Sequence, residues 1–237
     1  METVARYIAP PSQCGYLPEQ FWRLEYEHVA TLSPQEYLQR LLQGWRRFGR
    51  ALFRPRCRTC TACQSLRVVV ERFRPDRSQR RCRRLNESEI VLRIGAPSLT
   101  RSQLALYDRY HAHQADSKGW PEHPVSDAYS YANSFVDNPF PTQEWRYYFR
   151  DRLIGVGYVD DLPGGLSAIY FFYDPEERWR GLGTWNVLSI LDRAAAQGIP
   201  YVYLGYYVAN CPSMTYKNRF RPNQLLGLDG QWIDFRK

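Results

Sequence analysis

Apolar side chains recur at three- and four-residue spacing through Tyr37, Leu38, Leu41, Leu42, Trp45 and Phe48, the stripe of an amphipathic helix. Ser33-Pro34-Gln35-Glu36 marks its start, a capping box with proline at the first helical position, and Gly49 marks its expected stop. The opening before it, with Pro10, Pro11 and Cys14-Gly15-Tyr16-Leu17-Pro18, reads as loop. The β-branched run 66–73 reads as a strand. Leu104, Tyr107 and Tyr110 predict a second helix over 102–114, and a short third one is expected over 126–136. Past Pro141 the pattern turns to strands at 145–149, 153–160 and 166–173, an antiparallel meander with turns between. A turn at Asp174-Pro175, a helix over 182–197 stopped by Gly198, and an apolar strand Tyr201–Tyr207 follow.

Meander, helix and strand, with a glycine turn before the helix, is the core order of the fold that handles acyl-CoA. The expected class is therefore α+β. An acetyltransferase-like acyl-transfer domain (98–237) is expected behind a smaller Arg-rich, Cys-containing domain (1–97). Arg178-x-x-Gly181-x-Gly183 opens the helix of the second part. Glycines there let backbone N–H groups approach a phosphate, which the helix N-terminus favours.

Composition is ordinary for a folded chain, 44% hydrophobic and 24% charged, with a mean hydropathy of −0.55. No apolar run nears the ~20 residues of a membrane span, and residues 1–11 lack a basic-then-apolar leader, so a cytoplasmic protein with no membrane partner is expected. Charge placement adds more. The net charge is +8, yet fifteen arginines face only Glu71 and Asp76 between Arg40 and Arg84. So dense a block of planar, two-point donors fits an anionic partner better than a solvated face. Cys57-x-x-Cys60-x-x-Cys63 lets thiolates converge on a metal, with Cys14 or Cys82 as fourth ligand; the alternative is a tight turn with free thiols. His111 and His113, two apart, point to different faces of their helix and read as surface or structural. All four histidines precede the meander and no Gly-x-Ser-x-Gly elbow exists, which favours direct attack of one substrate on another.

Cys14-Gly15-Tyr16-Leu17-Pro18, Gly44-Trp45-Arg46-Arg47-Phe48-Gly49, the run from Phe53 to Cys63, Phe73-Arg74-Pro75-Asp76-Arg77-Ser78-Gln79-Arg80-Arg81 and Met214-Thr215-Tyr216-Lys217-Asn218-Arg219-Phe220-Arg221-Pro222 resemble the bacterial aminoacyl-tRNA–protein transferases. The resemblance runs from about residue 14 to 235. It departs at Asp76, where the family usually has serine, and at Ser213-Met214, where it usually has Lys-Met. It implies leucine transfer from leucyl-tRNA to proteins beginning with Asp or Glu; eukaryotic relatives transfer arginine.

In that frame Asp160 is the candidate general base. Tyr206 is a second catalytic candidate and, with Trp179, a stacking face. Arg46, Arg47, Arg54, Arg178, Gly181 and Gly183 are expected on tRNA; Arg77, Ser78, Gln79, Arg80, Arg81, Lys217 and Arg219 on the acidic N-terminus. Cys14, Cys57, Cys60 and Cys63 are expected to share a structural zinc or iron–sulfur cluster, with no cofactor needed for the chemistry. The competing readings are an acetyl-CoA-dependent acetyltransferase, which leaves the arginine block unexplained, and a non-catalytic RNA-binding module, which leaves the acyl-transferase order idle.

Overall fold

The structure, a computed structural model, describes residues 1–235. The opening is mostly strand where loop was expected: β1 (Glu2–Ile8), β2 (Ser12–Gln13), β3 (Phe21–Trp22) and β4 (Leu24–Thr31). In β4 the buried positions are Glu25, Glu27 and Val29, so carboxylates occupy the inward face and hide the two-residue period. Helix α1 (Pro34–Leu42) carries the expected Ser33–Glu36 capping box. It stops at Leu42 because Gly44, at φ 86°, turns the chain in the left-handed region that favours glycine. Trp45 and Phe48 therefore leave the helix, and β5 (Arg46–Phe48) turns at Gly49 into β6 (Ala51–Pro55). These strands form a four-stranded sheet in the order β1-β4-β6-β5.

Next come β7 (Gln64–Val69) and a helix not expected, α2 (Arg77–Asn86). Asp76 caps α2 and Gln79 completes a second capping box; arginines, unbranched and good helix formers, do the rest. Then follow β8 (Ile90–Gly95), α3 (Arg101–Lys118) and α4 (Ala128–Tyr131), which runs into a π turn at Ala132–Val136. The meander is β9 (Thr142–Phe149), β10 (Arg152–Leu162) and β11 (Gly165–Tyr173). A 3-10 turn at Pro175–Arg180 leads to α5 (Leu182–Ala196) and β12 (Tyr201–Tyr207). The chain closes with α6 (Pro212–Thr215), a turn at Tyr216–Arg219, β13 (Asn223–Leu226) and β14 (Trp232–Asp234).

This α+β chain is organised on one large mixed sheet, ordered β14-β13-β7-β12-β11-β10-β9-β8. The sheet runs across residue 97, the expected division, because β7 and β8 pair with strands from the second part. On one face α5 buries Leu188, Ile190 and Leu191 with Leu66, Val68 and Val202; each such side chain contributes ~1.5–3 kcal/mol. On the other face, α3 and the π turn cover Val156, Tyr158 and Phe172, while α1 and the small sheet cover Leu162 and Tyr203. Strands β11 and β12 are parallel but pair only from Gly165–Tyr201 to Ser167–Tyr203; beyond that they diverge. Beside the divergence, the register of β12 against β7 shifts between Tyr203 and Tyr206. Among the described residues no helix is long and apolar enough to cross a membrane.

Candidate functional site

The opening between β11 and β12 is bridged by β5. Its Arg46 guanidinium lies 5.5 Å from the Tyr206 ring on β12, and its Phe48 ring meets Tyr170 of β11 edge-on at 6.0 Å. Arg46 is 6% exposed. Its Nη1 donates to the Trp45 carbonyl at 2.9 Å, while Nε and Nη2 have no hydrogen-bond partner among the described residues. Lys217 is 8% exposed and donates from Nζ to the Tyr206 carbonyl at 2.7 Å and to Met214 Sδ at 3.2 Å. Burial first, and then the Arg46 charge, lower the Lys217 ammonium to about 7. Gly205, at φ 79°, lies between them: a Cβ there would sit 3.7 Å from Lys217 Nζ and 3.8 Å from Arg46 Nε. Tyr206 spends its hydroxyl on the Gly44 carbonyl at 2.8 Å, and burial raises its pKa, so it is a wall of the opening and not a proton donor.

The Cys loop reaches the same corner. Burial pushes the Cys63 thiol up to about 12, reinforced by Cys14, Cys57, Cys60 and Cys211. Cys211, which the sequence reading left out, joins this group. Cys82, offered as an alternative fourth ligand, sits on α2 and contacts the Arg180 and Gly181 carbonyls at 3.5 Å instead. Among the described residues no three His, Cys, Asp or Glu are arranged to hold a metal ion. As placed, the thiols do not fit a shared cluster.

A second cationic region lies outside. Arg77, Ser78, Arg80 and Arg81 are exposed on α2, and a cleft of about 440 Å³ beside that helix is lined by Arg74, Asp76, Tyr207, Ala209, Thr215, Asn218, Arg219 and Arg221. Arg219 ties α2 to this cleft, bonding Asp76 at 3.1 Å and the Ser78 hydroxyl. Burial alone would raise Asp76; the Gln79 amide, Ser78 and Arg219 override it and hold the carboxyl below its ordinary range. Gln79 is buried and donates to the Arg219 carbonyl at 3.1 Å. Arg219 and Lys217, two residues apart, thus serve different places, one the surface and one the interior. Arg74 and Arg221 stand in the blocks that carry the resemblance but were not among the expected site residues.

Several expected site residues are structural. Asp160 is fully buried; Arg47 Nε donates to its Oδ2 at 2.9 Å, Arg47 Nη2 to its Oδ1, and Thr142 to Oδ1 at 2.9 Å. Burial pushes this carboxyl up against the pull of Arg47. Fully buried and bonded to Arg47 and Thr142, it is placed as the partner of an internal ion pair and not where a substrate amine would meet it, so the general-base expectation is corrected. Arg47 is likewise unavailable to tRNA, its remaining donors bonding Gly49, Asn138 and Thr142. Arg54 is held by Glu25 at 2.7 Å and stacks over Trp45 at 4.5 Å. The Gly181 N–H donates to the Arg178 carbonyl, and Cys82 of α2 would lie 3.5 Å from a Cβ on Gly181, so that glycine is packed and not open to phosphate. Gly183 faces open space, and exposed Arg178 and Trp179 stand nearby.

Residues 12–81 match the family described as Arginine-tRNA-protein transferase, N terminus, and residues 102–227 match its C terminus. The chain belongs to the arginine-tRNA-protein transferase family. Among its relatives are proteins named aspartate/glutamate leucyltransferase. That of Halorhodospira halophila is 40% identical over 219 residues, covering 90% of each chain. That of Campylobacter jejuni strain 81-176 is 36% identical over 216 residues, 90% of this chain and 89% of the other. That of Pseudomonas putida KT2440 is 36% identical over 231 residues, 96% of this chain and 95% of the other. The structure of L-PGS from Bacillus licheniformis aligns at a TM-score of 0.46 and 11% identity, covering 73% of this chain and 58% of that one. In this member of the family, β5, the Cys loop, β12 and the 216–219 turn, drawn from both parts of the chain, meet at one opening.

Proposed function

We propose that the chain transfers leucine from leucyl-tRNA to the α-amine of proteins that begin with Asp or Glu. The observation that carries this is 36–40% identity to aspartate/glutamate leucyltransferases across nine-tenths of the chain. The meander, the helix α5, the parallel strand β12 and the divergence of β11 from β12 support an acetyltransferase-like arrangement for the acyl-transfer part. The amine attacks the ester carbonyl that joins leucine to the tRNA ribose; the C–N bond forms, the C–O bond breaks, and the ribose hydroxyl takes a proton. The ester is already activated and an α-amine titrates near ~7.7–8.0, so positioning and oxyanion stabilisation are the main tasks.

The exposed arginines Arg77, Arg80 and Arg81 on α2, with Arg74, Arg219 and Arg221 around the outer cleft, are suited to tRNA phosphates. Such contacts are solvated and position the RNA without reading it. The aromatic walls Phe48, Tyr170 and Tyr206 suit an apolar leucyl side chain beside the ester. Charged tRNA and finished protein chains meet in the cytoplasm, where the reaction belongs.

The test is to supply radiolabelled leucyl-tRNA, arginyl-tRNA or acetyl-CoA together with a peptide beginning with Asp. Label is expected in the peptide from leucyl-tRNA alone. Label from arginyl-tRNA or acetyl-CoA, or from none of the three, overturns the reading.

A further inference from the structure

We propose that Arg46 and Lys217 form the seat for the acidic side chain of the incoming N-terminus, a carboxylate site beside Gly205 where β11 and β12 diverge. This rests on the transferase reading above. Two cations nine-tenths removed from water are costly neighbours, and neither has an acidic partner among the described residues. Buried donors in native proteins are almost always satisfied, so Arg46 Nε and Nη2 without partners ask for an acceptor. Lys217 engages two groups and an ammonium has three hydrogens, which leaves one. The missing side chain at Gly205 lets both cations border one space.

The neighbouring groups do not supply the countercharge. Asp160 is committed to Arg47. An RNA phosphodiester carries a nucleoside on either side and does not reach donors this buried, whereas a carboxylate on a one- or two-methylene stem does. The flexible lysine stem adapts to the one-methylene difference between Asp and Glu. Asn and Gln match those side chains in shape but bring no charge, leaving both cations uncompensated, which is how such a site rejects them. The outer arginines discriminate less, being solvated, and Arg219 already holds Asp76.

The experiment compares kcat/KM for leucine transfer to peptides beginning with Asp, Glu, Asn and Gln in the wild type, Lys217→Met, Arg46→Gln and Lys217→Arg. Lys217→Met and Arg46→Gln are each expected to cut the preference for Asp over Asn by at least about tenfold, while leucyl-tRNA affinity and its salt dependence stay as in the wild type. Lys217→Arg keeps the charge and is expected to retain part of the preference. Equal losses on Asp and Asn peptides, or weakened tRNA binding with the preference intact, overturn the assignment. A wild type that transfers leucine to no peptide removes the transferase reading and this inference with it. A second readout needs no variant: Lys118, Lys217 and Lys237 are the only lysines, so lysine-labelled wild-type protein gives an NMR spectrum of three side chains. An Asp-starting peptide is expected to shift the Lys217 signals and an Asn-starting one to leave them; no difference overturns the proposal.

Discussion

Arg46 and Arg47 are neighbours in sequence with opposite fates. Strand alternation sends Arg47 to Asp160 and Arg46 to the Tyr206 ring. Both were expected on tRNA, because charge in a sequence does not say which way a strand will face until its register is known. Asp160 was singled out as a general base, a reading its sequence position could not correct because its partner lies 113 positions away in the chain. Asp160→Asn leaves a buried guanidinium half paired, which typically costs ~3–5 kcal/mol. A large drop in thermal midpoint is expected, with kcat per folded molecule at low temperature within about threefold of wild type, since a tenfold rate loss already means ~1.4 kcal/mol at the transition state. A loss of kcat without a change in melting would restore Asp160 as a catalytic group.

Among the elements, α1 and the meander were legible because apolar period, caps and turns agreed. Helix α2 was not, since an arginine helix offers no apolar stripe and its Asp76 cap looked like a stray charge. The small sheet was hidden by Glu25 and Glu27, whose inward placement makes sense only with their arginines in place. Glu25 accepts from Arg6 at 2.9 Å, Arg54 at 2.7 Å and Arg56 at 2.9 Å, joining β1, β4 and β6 to the start of the Cys loop. Burial alone would raise this carboxyl; Arg54, Arg56 and Arg6 together bring it down to about 2 from 4.5. Its contribution is therefore complete above pH 4.5 and is lost as pH falls through about 2. Glu25→Gln is expected to destabilise the protein at pH 7 by ~1–3 kcal/mol, the partners being partly solvated. Thermal melts should place the two proteins apart at neutral pH and bring them together toward pH 2; a constant gap would contradict the assignment.

For the molecule as a whole, the arginine block overstates the charge available to RNA. Arg40, Arg47, Arg54 and Arg56 are spent on Glu27, Asp160 and Glu25. What remains is concentrated on α2 and the outer cleft. Leucyl-tRNA affinity is expected to fall steeply with salt, with a slope well short of the fifteen phosphates a simple count implies. Replacing Arg80 and Arg81 with alanine should reduce that slope by about two contacts' worth, measured by filter binding across a salt series. An unchanged slope would show that α2 faces away from the RNA.

The interleaving of the large sheet bears on how the molecule comes into being. Strand β7 emerges early, yet its partners are β12 and β13. At ribosomal speeds of ~5–20 residues per second, it waits for about 7 to 26 seconds with both edges unpaired. For most of that interval Arg46, the Cys57–Cys63 loop and the arginine helix are already synthesised, but Gly205, Tyr206, Cys211 and Lys217 are not. A nascent chain can thus cling to RNA through its charge well before it can discriminate an acidic N-terminus, and selectivity is the last property the polypeptide acquires.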